Sequence, residues 1–300
     1  MLHPFIWPPP RRKHKLIVFL PASLISVEPT LREKTEVIGE LARILAIFRV
    51  DEVIVFKDDA SNRDFKLFTV ILKYLLIPPY LRKKLVPITP QLKYAGLLPP
   101  LNVYLHNPIN APPKEGDFRE GIVVSSWSGG GKVYIGSRQY FTVRSVKRLA
   151  LGERVLVRIV SIKPPRAKLV VPEDVEIYIG YKVIEIEDIN DLVEYLNTKP
   201  QIKVVMSKEG NNYGDQKLRR ALLKEILRSE GIILMFGNPK KDPDEILPKE
   251  AIEAINPRFR INIIPYQGVL SVRTLEAIHT TLSILNIDLF QYEIQKTNKA

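Results

Sequence analysis

The sequence predicts an α/β protein, a parallel sheet flanked by helices and interrupted by an inserted all-β barrel of OB-like type. Three observations carry this. An apolar run, an amphipathic helix pattern and a second apolar run open the chain (residues 15–56) as a β-α-β unit. Two further strand candidates, the wholly apolar 232–236 (IILMF) and the mainly apolar 261–264 (INII), each break into a loop bearing Gly and Pro, and the second loop leads into a strongly periodic helix. Between these halves, residues 119–171 alternate as five short strands joined by turns carrying Gly or charge.

In chain order, residues 15–20 (KLIVFL) read as a strand ended by Pro21. Thr30 and Glu33 form a capping-box pattern ahead of a helix with Leu31, Leu41 and Phe48 on its apolar side. Residues 52–56 (EVIVF) are the next strand, and Asp58 and Asp59, with no third ligand at a useful spacing, read as turn residues. A helix over 62–77 stops at Pro78-Pro79, and an irregular, Pro-rich basic stretch follows. Its Arg82, Lys83, Lys84 and Lys93 lie among Tyr80 and Tyr94, a mixture suited either to single-stranded RNA or to a solvated connector.

Within the barrel segment, GGGK at 129–132 lacks the following Ser or Thr and the following helix of a phosphate-binding loop, so it reads as a hairpin turn. Arg138, Tyr140, Arg144, Lys147 and Arg148, near Phe141, are candidates for an RNA-facing surface, though strand alternation lets only about half of such positions point outward. Beyond the barrel, residues 177–185 open the second α/β segment and 189–196 form a short helix. Residues 203–206 (KVVM) are a strand leaving into the loop SKEGNNYGD, and Asp215 caps a helix closed by Gly231. The last helix places Val272, Leu275, Ile278, Leu282 and Leu285 on one stripe, with Ser271 as its N-cap. Just before it, Gln267-Gly268 offers a backbone without a Cβ where a ligand meets a helix N-terminus.

Composition narrows the chemistry. With no Cys there is no disulfide, thiolate ligand or cysteine nucleophile, and the four His have no ligand spacing, so no metal is expected. No run of about 18 apolar residues suggests a membrane span. The amino terminus has the wrong order of basic and apolar residues for a signal peptide, so a cytoplasmic protein is expected. The net charge of +12 is unevenly spread: residues 66–94 hold 6 basic and no acidic side chains and 95–175 hold 12 and 6, whereas 176–300 hold 17 and 18. That segregation favours a polyanion-binding module beside a separate small-ligand site. A nicotinamide enzyme is disfavoured, because no G-x-G-x-x-G follows any strand.

The motifs FGNP (236–239), IIPYQG (263–268) and VRTLEAI (272–278), with the amino-terminal residues 31–58, resemble the SPOUT superfamily of S-adenosylmethionine-dependent RNA methyltransferases. The resemblance is to its archaeal and eukaryotic branch, which carries an OB-like insertion, and it spans nearly the whole chain. It implies a parallel sheet with a carboxyl-terminal trefoil knot. The domains are then a first catalytic segment at 1–94, an RNA-binding insertion at 95–175, and a second catalytic segment at 176–300.

By the same resemblance S-adenosylmethionine would be held at Ser207, Gly210, Gly237, Asn238, Pro239, Ile264, Gln267, Gly268, Val272 and Thr274, mostly through backbone groups. Arg273 and Glu276 would orient substrate or handle its proton; the plainer reading of that pair is an exposed i, i+3 ion pair. A homodimer sharing the last helix is implied, as is ribosomal RNA as substrate, with a uridine base nitrogen the first candidate acceptor and a ribose 2′-oxygen the second. Two departures from the family pattern, a loosened first loop (Ser207 and Gly210 retained) and RTLEA for RTEEA at 273–277, keep a rival open: a non-catalytic RNA-binding or ribosome-assembly protein on the same fold.

Overall fold

The computed structural model describes residues 5–107 and 111–297, with side chains described up to 291. The chain divides into two compact units. One gathers 12–72, 94–98 and 181 onward; the other gathers the start of the chain, 73–93 and 99–180. The basic stretch at 82–84 and the amino-terminal residues therefore pack with the barrel, whereas the expected boundary at 94/95 had put them with the catalytic segment.

The first unit is built on six parallel strands: β1 (Lys15–Pro21), β2 (Glu52–Phe56), β8 (Lys182–Ile186), β9 (Ile202–Asn212), β10 (Gly231–Met235) and β11 (Phe259–Asn262). Their order is β11-β9-β10-β1-β2-β8, every pair parallel. Ile17, Phe19, Ile54, Phe56, Ile233 and Met235 form a core on one face with Leu192 and Leu196 of α4 (Ile189–Asn197), and with Leu247 and Ile255, which flank α7 (Lys249–Ile255) and end it. The alternate residues Leu16, Val18, Leu20, Val53 and Val55 are also buried, as helices on both faces of a parallel sheet require.

Side-chain ties link the remaining helices in turn. Lys34 of α1 (Leu31–Ile47) pairs with Asp64 of α2 (Asn62–Leu76) at 2.8 Å. Phe48, the C-cap of α1, meets His279 of α8 (Thr274–Thr297) at 5.7 Å between ring centroids. Asp288 of α8 binds Arg219 of α5 (Gln216–Arg228). Asp288 also accepts from Tyr213 Oη at 2.6 Å, and burial first, then that carboxylate, raises the Tyr213 phenol far above its usual range.

Local signals are realised where they are chemically specific. The Thr30–Glu33 capping box forms, with Glu33 N donating to Thr30 Oγ1 at 3.2 Å and Thr30 N to Glu33 Oε2 at 3.0 Å. Asp215 caps α5 through Lys217 N at 2.7 Å. Four expectations shift. Gly231 opens β10 beneath the Lys15 backbone, and the left-handed residue after α5 is Glu230. Strand β11 lies two residues earlier than the INII run. The stretch 207–212 is not a free loop: β9 continues through it, because Ile261 and Asn262 pair with Asn211 and Asn212 after a register jump from Arg260 opposite Val205. Residues 206–210 thus bulge out of the ladder, and side chains of β11 rather than its backbone hold them. Finally, residues 79–85 are a short helix, α3 (Pro79–Leu85), with Arg82, Lys83 and Lys84 in its last turn, which suits cations there.

The second unit holds a closed barrel, β3 (Phe118–Trp127), β4 (Gly130–Tyr134), β5 (Tyr140–Arg144), β6 (Arg154–Ile162) and β7 (Pro165–Leu169), in the order β3-β4-β5-β7-β6. All its pairs are antiparallel except β5 with β7. Val123, Val133, Phe141, Val143, Val157, Ile159 and Ala167 fill it. The GGGK stretch is a hairpin turn, with Trp127 opposite Gly130 and Gly129 at φ 94. Among the described residues no helix is long and apolar enough to cross a membrane.

Candidate active site

At the carboxyl ends of β9, β10 and β11 three segments enclose a cleft of about 190 Å³, the position at which open parallel sheets take ligands. The first wall is the β9 bulge, where Ser207 donates to Asp242 and accepts from Glu209 N at 3.1 Å. Arg260 of β11 reaches Ser207 Oγ at 3.4 Å while pairing with Asp244.

The second wall follows β10. Asn238 Oδ1 accepts from Lys240 N at 2.9 Å and Lys241 N at 2.8 Å, and Asn238 N donates to Lys241 O at 3.0 Å. The turn closes so tightly that a Cβ on Gly237 would collide with the Lys241 carbonyl oxygen. Asp242 N then donates to Glu245 Oε2 at 2.8 Å.

The third wall is the segment after β11. Asn262 Oδ1 accepts from Ile264 N at 2.9 Å and its Nδ2 donates to Lys208 O at 2.7 Å, tying this wall to the first. Ser271 Oγ donates to Pro239 O at 3.3 Å and Thr274 Oγ1 to Gly237 O at 3.2 Å, tying it to the second. Among the described residues, the backbone N–H groups of 268–272 have no hydrogen-bond acceptor.

Ser207, Gly237, Asn238, Pro239, Ile264, Gln267, Val272 and Thr274 all line the cleft. Gly210 and Gly268 do not. A Cβ on Gly210 would meet the Ile261 carbonyl carbon at 2.5 Å, so this glycine serves the approach of β9 to β11, and a Cβ on Gly268 would meet nothing within 4 Å. Arg273 and Glu276 are exposed and outside the lining, and no ion pair joins them. Glu276 instead accepts from Arg273 N at 3.0 Å, so the helix N-cap is residue 273 rather than Ser271. Sequence reasoning missed Lys208, Glu209, Asp242, Glu245, Asn262 and the apolar Met206, Ile261 and Ile263. Their signal was partly present, since Ile263 opens IIPYQG and Asp242 follows FGNP closely, but only the bulge and the turn aim them all at one cleft. Among the described residues no group of three carboxylate or His side chains is placed to hold a metal ion.

In the barrel unit, Lys83, Lys84, Arg138, Tyr140, Arg144, Lys147 and Arg148 are exposed. Arg82 is not available in the same way. Its Nε donates to Ile77 O at 3.0 Å and its guanidinium lies 4.6 Å over the Tyr74 ring, so it finishes a helix end.

Residues 15–285 match the family model described as "Putative RNA methyltransferase". The chain belongs to this family. An uncharacterized protein of Halobacterium salinarum is 31% identical over 291 residues, 90% of this chain and 98% of its own. A 28S rRNA (uridine-N(3))-methyltransferase of Drosophila melanogaster is 26% identical over 306 residues, covering 90% of this chain and 61% of that protein. The Homo sapiens enzyme of the same name is 34% identical over 173 residues, 52% of this chain and 45% of its own. The SpoU methyltransferase AviRb of Streptomyces viridochromogenes aligns at TM-score 0.40 and 9% identity over 98% of this chain and 63% of that chain, too distant to carry weight.

Proposed function

We propose that this RNA methyltransferase uses S-adenosylmethionine and methylates a uridine base nitrogen of ribosomal RNA. The observation that carries the reading is the three-walled cleft. Its apolar Met206, Ile261, Ile263, Ile264 and Val272 suit an adenosyl group, while Asn238, Ser207 and open backbone donors at Ser271 and Val272 suit the polar parts of the cofactor. When bound, the cofactor supplies an electrophilic sulfonium methyl, and the protein must align donor and acceptor and exclude water.

A uridine N3 must also lose its proton. Among the cleft carboxylates Asp242 is engaged by Ser207 and Glu245 by the Asp242 N–H. The Glu209 carboxylate has no partner among the described residues and is exposed at the rim. Glu209 is therefore the proton acceptor in this reading, in place of Glu276. Arg273, between the cleft-lining Val272 and Thr274, faces the RNA.

The family resemblance supports three structural readings. The ties of Ser271 and Thr274 back to Pro239 and Gly237 support a chain that returns past the 237–258 segment as a trefoil knot. Ile287 and Phe290 on α8 are 55% and 48% exposed, and Tyr266 and Leu270 are almost fully exposed, which supports a homodimer through this region; light scattering showing an active monomer would remove it. The five-stranded barrel, closed by a parallel β5–β7 pair, is read as OB-like.

Calorimetry with S-adenosylhomocysteine tests the central claim. Binding in the low micromolar range is expected, and no binding at millimolar ligand would leave an RNA-binding protein without this chemistry. Glu209→Gln is expected to keep cofactor affinity and to lower kcat at neutral pH by about 100-fold or more, with part of the rate recovered in alkaline buffer as uridine N3 ionises by itself.

A further inference from the structure

Strand register places cations in rows on the barrel's outer surface. Arg144 of β5 stands opposite Lys168 of β7, and Lys168 opposite Arg158 of β6. Their strand neighbours Val143, Ala167, Val157 and Ile159 are buried in the barrel core, so alternation sends all three cations outward, and all three are exposed. In the adjoining row Lys132 of β4 faces Thr142, which faces Arg166 of β7. Adjacent strands lie about 4.8 Å apart, and like charges directly opposite one another destabilise a sheet. Among the described residues none of these five cations has an acidic partner. Among the described residues no ion pair offsets that repulsion, Arg158 having only the Phe118 ring at 5.6 Å, and a polyanion laid across the strands relieves it.

Rings flank the rows. Tyr140 is 52% exposed and pairs with Tyr134, their centroids 6.3 Å apart. Lys84 lies over the Tyr134 ring at 5.1 Å.

We infer that the outer face of β4, β5, β7 and β6 is a track for single-stranded RNA, with phosphates on the Arg144–Lys168–Arg158 row and a base stacked on Tyr140. This deepens the proposed function and rests on its RNA substrate, but not on the cofactor. Single-stranded rather than duplex RNA is favoured because exposed rings contribute only when bases are unpaired. Arg158, Arg166 and Lys168 escape a reading confined to the stretch at 138–148 that contains β5, because they lie on strands that meet it only when the barrel closes.

The test compares Arg158→Gln/Arg166→Gln/Lys168→Gln with an equal change of charge at exposed sites elsewhere, Lys217→Gln/Lys224→Gln/Lys249→Gln. The probe is an oligouridylate of about 16 nucleotides, the upper range for one such barrel, titrated over a salt series. The slope of log K against log salt is expected to fall by about two units in the first variant, at about 0.7 per phosphate contact, and to hold in the second. Tyr140→Ala is expected to lower affinity by about fivefold or more with the slope unchanged. An unchanged slope in the first variant, an equal fall in both, or tighter and equally slope-sensitive binding of a duplex of the same length overturns the inference. Far-UV circular dichroism and a denaturant-unfolding transition matching the parent's show that the barrel unit of each variant is folded, and an unchanged S-adenosylhomocysteine affinity shows that the cleft unit is intact. A parent chain that binds no S-adenosylhomocysteine yet shows the slope difference refutes the methyltransferase reading and leaves the track standing.

Discussion

Asn238 Nδ2 donates to Ser23 Oγ at 2.9 Å, joining the loop after β10 to the segment after the adjacent strand β1. Ser23 in turn donates its hydroxyl to Asp58 Oδ2 and its backbone N–H to Asp58 Oδ1 at 2.9 Å. The carboxyl ends of β1, β2 and β10 are thereby held together, and the turn that walls the cleft inherits their rigidity. Asp58 is a brace for this relay as well as a turn residue.

Asn238→Ala removes that bond and the two that fix the Lys240 and Lys241 amides. Net hydrogen bonds are worth about 1 kcal/mol each, so the turn loses about 3 kcal/mol of restraint, and about half of that felt at the cleft lowers cofactor affinity about tenfold, measured by calorimetry. A change smaller than about twofold would show that the turn holds its shape without the side chain.

The glycines of the cleft region are expected to separate sharply. Gly237→Ala places a Cβ against the Lys241 carbonyl and should destabilise by about 1–3 kcal/mol or abolish cofactor binding. Gly268→Val enters open space at a residue without positive φ, so stability should stay within about 0.5 kcal/mol and cofactor binding should persist. Denaturant titration and calorimetry of the two variants check both halves.

His106 in the barrel unit gives stability a pH dependence. Burial first, then the positive charges of Arg82 and Arg154, push its pKa down to about 4 against the bond from its Nε2 to Leu76 O at 3.1 Å. Its folded form resists protonation, so stability is fully present above the unfolded value near 6.5 and is lost as pH falls towards 4. The loss should reach about 3 kcal/mol. In denaturant unfolding at pH 7 and pH 4.5, His106→Gln should lose most of the difference between the two pH values.

Asp288 is 1% exposed at its side chain and holds both Arg219 and Tyr213. Asp288→Ala strands the Tyr213 hydroxyl and leaves Arg219, 42% exposed, to water. A cost of about 2–3 kcal/mol is expected, below that of breaking a fully buried pair because Arg219 regains solvation. Thermal and denaturant unfolding measure it.

Local sequence determined what local chemistry controls. The apolar runs at β1, β2 and β10 have no other use than a sheet buried on both faces, and Thr30–Glu33 and Asp215 fix helix starts through bonds within four residues. The alternation of β3–β7 marked five half-buried strands by period alone, and the quoted motifs carried about half of the cleft lining. Tertiary structure decided the rest. Whether Ser207–Gly210 is a loop or a bulge depends on pairing with Ile261 and Asn262, about fifty positions away. Whether Gly237 or Gly268 is the constrained glycine depends on what lies above each Cα, which sequence spacing does not encode. Glu276 caps its own helix as well, because the Arg273 N–H lies three residues back, within reach of its carboxylate. Arg158 and Lys168 joined Arg144 only through the closure of the barrel, since register between strands is set by packing across the core and by no property of those residues taken one at a time.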